Sequence, residues 1–266
     1  MGMKGIILAG GHGTRLRPLT AVISKQLLPI FNKPMVFYPL STLMQGGIRE
    51  ILLISTPKDL PQYRRLLGDG SDLGIRIEYI EQENPRGLPE AFMIGSEFIG
   101  DDSVTLILGD NIFYSKEISN VLTKAITNHS GATVFGVEVT DPERFGVADF
   151  GDDGGVVRIV EKPTDPPSNI AVTGLYIYGN DVIEKAEELE FSERGELEIS
   201  NLNQKYLDED RLSLVRLGRE TKWLDTGTHD SMLEAAIFVK NMEKEMSTPI
   251  GDPEQVAKDM SYLNGG

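Results

Sequence analysis

Short apolar runs alternate with segments of helical spacing over the first 140 or so residues, and this alternation constrains the fold most strongly. The apolar runs predict buried strands at residues 6–8, 51–54, 75–80, 104–108 and 132–139. The segments between them predict helices at residues 34–44, 58–67, 89–98 and 118–127. Strand alternating with helix is typical of a mostly parallel sheet covered on both faces. We therefore expect an α/β fold.

After about residue 140 the pattern becomes richer in β-structure. Three runs, at residues 145–150, 156–160 and 171–178, predict strands separated by clusters of Gly, Asp and Pro. The remaining elements are two helices at 182–190 and 198–207, a strand at 213–217 and a long helix at 228–246. A last short helix is expected within residues 252–262, with Asp252 as its cap and Pro253 in its first turn.

Composition excludes several classes of protein and site. The net charge of −15 argues against general binding to nucleic acids or anionic membranes. It also means that a site for phosphates must recruit local cations or a metal ion. The chain has no Cys, and its three His are far apart in sequence, so thiolate and histidine-built metal sites are not expected. No apolar stretch approaches the ~20 residues that span a bilayer, and no signal-peptide pattern opens the chain, so we expect a cytoplasmic protein without a membrane partner.

A glycine-rich loop follows the first predicted strand. Gly10, Gly11 and Gly13 allow the backbone to turn tightly and to present N–H groups to a phosphate. Arg15 adds a planar cation that can bind phosphate oxygens, and Lys25 follows ten residues later. A glycine-rich turn after a strand is also common without any ligand. The loop matches neither the dinucleotide fingerprint nor the P-loop, which disfavours a dinucleotide-dependent oxidoreductase.

Two aspartates are candidates for a metal site. Asp110 stands just beyond the end of the predicted strand at 104–108, where ligands bind in open α/β sheets. Asp225 lies between the only Trp and a glycine turn. Each also has a structural interpretation, because Asp110 suits a turn and Asp225 could cap the following helix. If the fold brings the two carboxylates together, they make a hard-oxygen site for Mg²⁺.

A third candidate lies at the end of the strand at 156–160. Lys162 follows Glu161 and precedes a proline that stops the strand. Lysines at strand ends are usually solvated, but this one could also supply a point charge for a sugar phosphate. Glu161 could accept hydrogen bonds from sugar hydroxyls.

Together these stretches resemble the sugar-1-phosphate nucleotidyltransferases, and most closely those that transfer a thymidylyl group. The resemblance covers about residues 3–262 in the family's order. It rests on LAGGHGTRL at 8–16, SKQLLP at 24–29, KPM at 33–35, LGDNIFY at 108–114, EKP at 161–163, RGELEI at 194–199 and WLDTGT at 223–228.

The resemblance implies both an architecture and a reaction. The fold would be a Rossmann-like, mostly parallel mixed sheet flanked by helices, with an inserted β-rich sugar-binding subdomain. Its parts would be a nucleotide-binding half at about 3–140, a sugar-phosphate-binding half at about 141–228 and a shortened C-terminal helical segment at 229–266. The reaction would convert dTTP and α-D-glucose 1-phosphate into dTDP-glucose and diphosphate with Mg²⁺, by in-line displacement without a covalent enzyme intermediate.

Motif positions imply roles for individual residues. Arg15 and Lys25 would hold the nucleotide phosphates and the leaving diphosphate, Lys162 the sugar phosphate, and Asp110 and Asp225 the Mg²⁺. The implied nucleotide-binding residues are Leu8, Gly10, Gly11, Gly13, Thr14, Arg15, Lys25, Gln26, Gln82, Gly87 and Asp110, with Gln82 and Gly87 reading the base edge. The implied sugar-phosphate-binding residues are Asn111, Gly146, Glu161, Lys162, Val172 and Tyr176.

The chain departs from the family's pattern at three places. His12 replaces a small or hydroxylic residue, and we assign it no catalytic role. The stretch at 82–90 differs from the expected Ser-Pro-Asp-Gly-Leu-Ala-Gln type of run, which leaves the thymine preference open. Relatives carry a further C-terminal helix beyond the position of Tyr262 and usually a basic residue at the position of Asp259, so feedback inhibition of the usual kind is not expected.

Two alternatives to this function are kept. The first is the same chemistry with UTP or another sugar 1-phosphate. The second is a non-catalytic, nucleotide-sugar-binding regulatory paralogue, although the presence of all five implied catalytic residues argues against it. The resemblance also implies self-association, to a homotetramer or a homodimer.

Overall fold

The computed structural model describes residues 2–11 and 13–264, so the expectation for His12 lies outside the described residues. The strands are β1 Met3–Leu8, β2 Pro29–Ile30, β3 Lys33–Pro34, β4 Glu50–Ser55, β5 Arg76–Glu81, β6 Ser103–Leu108, β7 Asn111–Tyr114, β8 Ala132–Glu138, β9 Gly146–Phe150, β10 Val156–Glu161, β11 Ile170–Tyr178, β12 Leu212–Arg216 and β13 Lys222–Asp225. The helices are α1 Phe37–Gln45, α2 Leu60–Leu67, α3 Glu90–Ile94, α4 Ser96–Ile99, α5 Ile118–Asn128, α6 Val182–Glu187, α7 Ile199–Asp208, α8 His229–Met246 and α9 Pro253–Asp259.

Within the described part of the chain, nine of these strands form one mixed sheet. Strands β5, β4, β1 and β6 lie side by side and are parallel, and the sheet continues through β11 to β8 and β12. Strands β8, β9 and β12 point the same way as these first four, whereas β10 and β11 run against them. The predicted α/β class with a mostly parallel mixed sheet is therefore confirmed. The division into functional halves near residue 140 stays a prediction.

Strand β11 pairs with two different strands along one of its edges. Its C-terminal half pairs with β6, where Leu175 lies opposite Ile107. Its N-terminal half pairs with β9, where Val172 lies opposite Gly146. The sheet therefore opens between the end of β6 and the start of β9.

Apolar residues cover both faces of the sheet. Along β1, Ile6 and Ile7 point to opposite faces and belong to different buried clusters, as the two-residue period of a strand requires. One face packs against α1, α2, α5 and α9, and the other against α3, α6 and α7. This two-sided burial explains the continuous apolar runs in the sequence. Among residues 2–11 and 13–264, no helix combines the length and apolarity needed to cross a membrane.

Both C-terminal helices begin at a side-chain cap, and that of the last helix is the predicted Asp252. Thr228 caps α8 through a reciprocal pair of hydrogen bonds with Ser231, so Asp225 is not needed as a cap. Asp252 accepts hydrogen bonds from the N–H groups of Glu254 and Gln255 at the start of α9. Helix α8 buries Ala235 and Val239 in a third apolar cluster.

Three features of the fold differ from the sequence prediction. The first long helix begins at Phe37 rather than Pro34, because the N–H groups of Met35 and Val36 donate to the carbonyls of Leu28 and Gln26. The helix predicted at 89–98 is divided into α3 and α4 at Gly95. The short hairpin β2–β3 and the pair β7–β13 were not predicted, since two- to four-residue strands have too few positions to show a period.

A largely buried ion pair ties α8 to the β2–β3 hairpin. Lys33 Nζ lies 2.6 Å from Glu243 Oε1, and Asn32 Nδ2 and the N–H of Ile250 also donate to this carboxylate at 3.0 and 2.9 Å. Burial alone would raise the pKa of Glu243, but the hydrogen bonds from Lys33 and Ile250 outweigh it, and the pKa lies below its ordinary value. The pair therefore stabilises the fold when Glu243 is ionised.

Replacing this carboxylate is expected to destabilise the protein in a pH-dependent way. Glu243→Gln should lower the free energy of unfolding by about 2 kcal/mol at neutral pH, because the charge of Lys33 loses its partner. A lowered folded-state pKa stabilises above the unfolded pKa, so this difference should shrink as the pH falls through the pKa of Glu243. Urea unfolding at several pH values measures it. The exposed Glu234→Gln on the same helix is the control, and equal effects of the two variants would contradict the assignment.

Candidate functional site

A cleft of about 840 Å³ lies at the C-terminal ends of β1 and β6. Leu8 pairs with Leu108 in the parallel register, so the glycine loop after β1 and the turn after β6 emerge next to each other. The other walls come from the segment after β5, from β9 to β11, and from the start of α7. The cleft occupies the opening of the sheet beside β11, which is where ligands bind in folds of this type.

Most of the residues proposed from the sequence surround this cleft. It is lined by Leu8, Gly10, Gly11, Thr14, Arg15, Gln82, Gly87, Asp110, Asn111, Gly146, Glu161, Lys162, Val172, Tyr176 and Asp225. Gly13 and Lys25 line an adjoining hollow together with part of the glycine loop. Gln26 is buried beside the loop, where its Oε1 accepts a hydrogen bond from Ser24 Oγ at 2.8 Å, and its predicted contact with a nucleotide stays a prediction.

The glycine loop has the backbone of a tight turn. Gly11 and Gly13 have φ angles of 100° and 55°, in the left-handed region that favours glycine. The short 3₁₀ turn Thr14–Leu16 follows and exposes the side chain of Arg15. The guanidinium of Arg15 reaches Gly227, where an added Cβ would lie 3.1 Å from Nη2. Arg15 therefore connects the glycine loop to the segment that carries Asp225.

Asp110 is held as a carboxylate. Its Oδ2 forms an ion pair with Lys25 Nζ, and its Oδ1 accepts a hydrogen bond from Asn111 Nδ2 at 3.0 Å. Burial alone would raise the pKa of Asp110, but the charge and hydrogen bond of Lys25 outweigh it, and the pKa lies below its ordinary value. The chain thus places an ionised carboxylate and an ammonium side by side at the loop.

The pairing of β7 with β13 brings the second aspartate to the same place. Asp225 lies opposite Asn111 in the antiparallel register, next to Asp110. Thr226 holds the two segments together, because its hydroxyl and its N–H donate to the carbonyl of Asp110 at 2.8 and 3.2 Å. Burial, together with the nearby charge of Asp110, raises the pKa of Asp225. The fold therefore joins the two carboxylates that the sequence could name but could not place together.

These two carboxylates fit a magnesium ion. Among the residues that the structure describes, no group of three or more His, Cys, Asp or Glu side chains is arranged to hold a metal. Mg²⁺ needs no such cage, since it usually takes one or two carboxylates and completes its shell with water and substrate phosphates. The adjacent carboxylates of Asp110 and Asp225 match this kind of donor set.

Asn111 fixes the geometry around Asp110. Its Oδ1 accepts hydrogen bonds from the N–H of Gly174 at 3.0 Å and from Trp223 Nε1 at 2.6 Å. Its Nδ2 donates to Asp110 Oδ1. One nearly inaccessible side chain therefore links β7, β11 and β13 at the floor of the cleft, in addition to its predicted role in binding the sugar phosphate.

The start of β9 and the end of β10 carry residues that the sequence analysis proposed for binding the sugar phosphate. Lys162 has a φ of 43°, and its N–H donates to the carbonyl of Phe145 at 2.9 Å. Its Nζ lies 3.5 Å from Glu161 Oε1, and its side chain is 53% exposed. Glu161 in turn approaches Gly146, where an added Cβ would lie 3.3 Å from Oε2. Lys162 is thus free to contact an anion, while Glu161 faces the backbone of β9.

The segment after β5 closes the opposite end of the cleft. Gly87 has a φ of 116° and forms a parallel bridge with Leu197, and an added Cβ would lie 2.1 Å from the carbonyl oxygen of Leu197. Only glycine fits this contact. Gln82 lies in the same wall, and its amide touches the glycine loop.

Several lining residues had no role assigned from the sequence. Arg144 adds a further cation, and the ring of Phe145 packs on Trp223 with centroids 4.9 Å apart. Arg194 and Glu198 form an ion pair at 2.7 Å across from Gly87. Arg194 and Glu198 lie in the RGELEI motif at 194–199, and their spacing of four residues could have indicated the ion pair. Arg144 gave none, because a lone arginine in a loop resembles any solvated charge.

An Asn111→Asp substitution is expected to destabilise the floor of the cleft. The new aspartate keeps the side-chain oxygen that accepts hydrogen bonds from Gly174 and Trp223. It replaces the NH₂ group that donates to Asp110 by a second negative charge, and the repulsion should lower the free energy of unfolding by about 2 kcal/mol. The deficit should be smaller in mildly acidic buffer, where one carboxyl takes a proton. Denaturant unfolding at two pH values measures it.

Asn169→Asp is the matched control, because its Nδ2 also donates to a carboxylate, that of Glu138, but at the exposed surface. At the exposed surface, the same substitution should lower the free energy of unfolding only slightly. An Asn111→Asp variant as stable as this control would contradict the proposed linkage.

Comparisons with known proteins agree with this geometry. The family described as Nucleotidyl transferase matches residues 4–242. The chain belongs to the nucleotidyl transferase family. A relative from Neisseria meningitidis named glucose-1-phosphate thymidylyltransferase is 54% identical over 262 residues, which cover 98% of this chain and 91% of the relative. A relative of the same name from Mycobacterium tuberculosis is 52% identical over 262 residues, again covering 98% and 91%. The resemblance seen in the sequence is thereby confirmed.

Solved structures of nucleotidyl transferases share the fold. A structure titled as a glucose-1-phosphate thymidylyltransferase from Bacillus anthracis in complex with sucrose is 39% identical, with a TM-score of 0.82, and covers 89% of this chain and 95% of that one. A UDP-glucose pyrophosphorylase complexed with UDP-glucose is 24% identical, with a TM-score of 0.79, covering 91% and 100%. The second likeness concerns the fold alone.

Proposed function

We propose that this nucleotidyl transferase moves a thymidylyl group from dTTP to α-D-glucose 1-phosphate and releases diphosphate. Support comes from relatives named glucose-1-phosphate thymidylyltransferase, in which more than half of the aligned residues are identical over 98% of this chain. The structural observation that carries the proposal is the pair of partly buried carboxylates, Asp110 and Asp225, with cations on either side of the cleft. A protein with a net charge of −15 places these cations where two anionic substrates must meet.

The nucleotide binds at the glycine loop. Backbone N–H groups of Gly10, Gly11, Gly13 and Thr14 face its phosphates, and Arg15 and Lys25 bind their oxygens. Leu8 lies below the nucleotide, and Gln82 and Gly87 contact the edge of the base. Arg15 stabilises the diphosphate as negative charge accumulates on it, because a guanidinium binds phosphate oxygens in a bidentate manner.

The sugar phosphate binds on the β9–β11 side. The exposed ammonium of Lys162 holds its phosphate, and the carboxylate of Glu161 accepts hydrogen bonds from sugar hydroxyls. Gly146, Val172 and Tyr176 form the walls around the sugar. Asn111 lies at the floor of this site.

Asp110 and Asp225 would hold Mg²⁺. When bound, this ion neutralises charge on the phosphates of both substrates and reduces their repulsion. The chain prepares the site, because Lys25 keeps Asp110 ionised and Thr226 fixes the distance between the two strands.

The chemical step needs no protein nucleophile. An oxygen of the sugar phosphate attacks the α-phosphorus and forms the new P–O bond, while the bond from that phosphorus to the bridging oxygen breaks and its electron pair leaves with diphosphate. Lys162 aligns the attacking phosphate, and Arg15 and Lys25 bind the leaving one. Catalysis is then positioning and charge stabilisation.

The alternatives differ in specificity or in class. UTP or another sugar 1-phosphate would use the same residues, since the phosphate contacts do not depend on the base or the hexose. A regulatory paralogue would be expected to lack part of the phosphate- and metal-binding set, whereas this chain has Arg15, Lys25, Asp110, Lys162 and Asp225. Self-association to a dimer or tetramer and a cytoplasmic location stay predictions.

Release of diphosphate tests the proposed function. With Mg²⁺, dTTP and glucose 1-phosphate, the protein should release diphosphate and form dTDP-glucose, and kcat/KM should be highest for this pair in a panel of nucleotides and hexose 1-phosphates. Lys162→Ala should raise KM for the sugar phosphate more than KM for dTTP. Wild-type release no higher than that of Lys162→Ala would refute the proposal, and a higher kcat/KM with UTP would establish the first alternative.

Arg15→Ala should lower kcat by about 10²-fold or more while leaving the melting temperature unchanged, because an exposed side chain that stabilises the leaving group is lost. Steady-state kinetics and thermal unfolding measure the two effects. Arg17→Ala removes an equally exposed arginine two residues away and outside the cleft lining, and it should retain activity. Near-normal turnover by Arg15→Ala would contradict its role.

A further inference from the structure

Glu90 carries a carboxylate that the fold buries beside the cleft. Its side chain is only 5% exposed. Its Oε1 accepts a hydrogen bond from Arg86 Nε at 2.7 Å and lies 2.6 Å from Nη2 of the same guanidinium in an ion pair, and its Oε2 accepts a hydrogen bond from the N–H of Arg86 at 3.1 Å. The remaining contact comes from Gln82 Nε2, which donates to Oε2 at 2.7 Å. Burying a charge requires such a set of donors.

The chemistry of these partners fixes the orientation of the Gln82 amide. A carboxylate that forms an ion pair with a guanidinium only accepts hydrogen bonds, so Gln82 must turn its NH₂ group toward Glu90. Its oxygen then faces the other way, toward the glycine loop. A Cβ added to Gly10 would lie 2.5 Å from Gln82 Oε1, which places this oxygen at the loop that lines the cleft.

We propose that Glu90, anchored by Arg86, is a positioning residue that selects the base by fixing Gln82 with its acceptor oxygen toward the nucleotide. This inference rests on the proposed function, because it requires a nucleotide at the glycine loop. Glu90 itself touches no substrate, and it acts only through Gln82.

A fixed acceptor discriminates between pyrimidines. Thymine and uracil carry a ring N3–H that can donate to Gln82 Oε1. Cytosine has a lone pair on N3, so the two acceptors would face each other. Since a site that leaves buried polar groups unpaired rejects a ligand strongly, the arrangement favours thymine and uracil over cytosine. It does not separate thymine from uracil.

A Glu90→Gln substitution tests this role. The new amide can donate as well as accept, so it no longer dictates how Gln82 is turned. We expect the ratio of kcat/KM for dTTP to that for dCTP to fall about tenfold or more, which corresponds to one hydrogen bond, while the ratio for dTTP to dUTP stays unchanged. A merely structural role would lower kcat/KM for all three nucleotides by the same factor and would overturn the proposal.

Two further variants make the test specific. Glu97→Gln removes the same charge from an exposed position on the next helix and should leave the three kcat/KM values as in the wild type. The double exchange Gln82→Glu with Glu90→Gln restores an acceptor-only group at position 82 and a donor at position 90. It should regain at least part of the preference for dTTP over dCTP, and no recovery would count against the proposed orientation.

A modified nucleotide gives a measurement that does not depend on the folding of any variant. The 5′-triphosphate of N3-methylthymidine lacks the N3–H, so the wild-type enzyme should use it with a kcat/KM at least tenfold below that for dTTP. Equal use of the two nucleotides would overturn the proposal. If the wild type used no pyrimidine nucleotide at all, the proposed function itself would fail, whereas an active wild type with an unchanged preference in Glu90→Gln would refute only the role of Glu90.

Discussion

The structure of the cleft depends on two partly buried carboxylates, Asp110 and Asp225, being held side by side. Like charges in a poorly solvated place repel, so the fold must compensate them. Lys25 and Asn111 do so for Asp110, and Thr226 locks the turn that carries it to the segment of Asp225. Asp225 is compensated less completely, because burial and the charge of Asp110 raise its pKa. The Mg²⁺ of the proposed function would supply the missing positive charge.

The sheet explains why these groups converge. Parallel strands β1 and β6 end at the same level, which brings the glycine loop beside Asp110. Strand β11 runs against them and takes β9 as a second partner on the same edge, so the sheet opens where β6 stops. Strand β13 then pairs with β7 beside this opening, and this pairing brings Asp225 next to Asp110. One change of partner along one strand thus creates a cleft with two sides, which the proposed function assigns to the two anionic substrates.

Local residue patterns predicted the parts of the site but not their arrangement. The apolar runs located the sheet strands, because burial on both faces leaves a continuous hydrophobic signature. The glycine loop, Asp110 and Lys162 were predicted from strand ends. The meeting of Asp110 with Asp225 was implied by the family resemblance alone, because no local pattern connects four-residue strands 108 or more positions apart. Glu90 was missed for a related reason, because a glutamate in a sequence is usually taken for a solvent-exposed charge. Its burial follows only from the packing of Arg86 and Gln82 around it.

Charge and hydrogen bonds have separate tasks along this cleft. In the proposed function, the cations near the carboxylates bind phosphates, which every nucleotide and every sugar phosphate carries, so they contribute affinity and rate without specificity. An amide can read the base only if its orientation is fixed, because an amide that rotates offers a donor as readily as an acceptor. Burying Glu90 with Arg86 supplies that fixed orientation at a distance from the reacting phosphates. Discrimination between bases can then change through this pair without disturbing the groups that bind the phosphates.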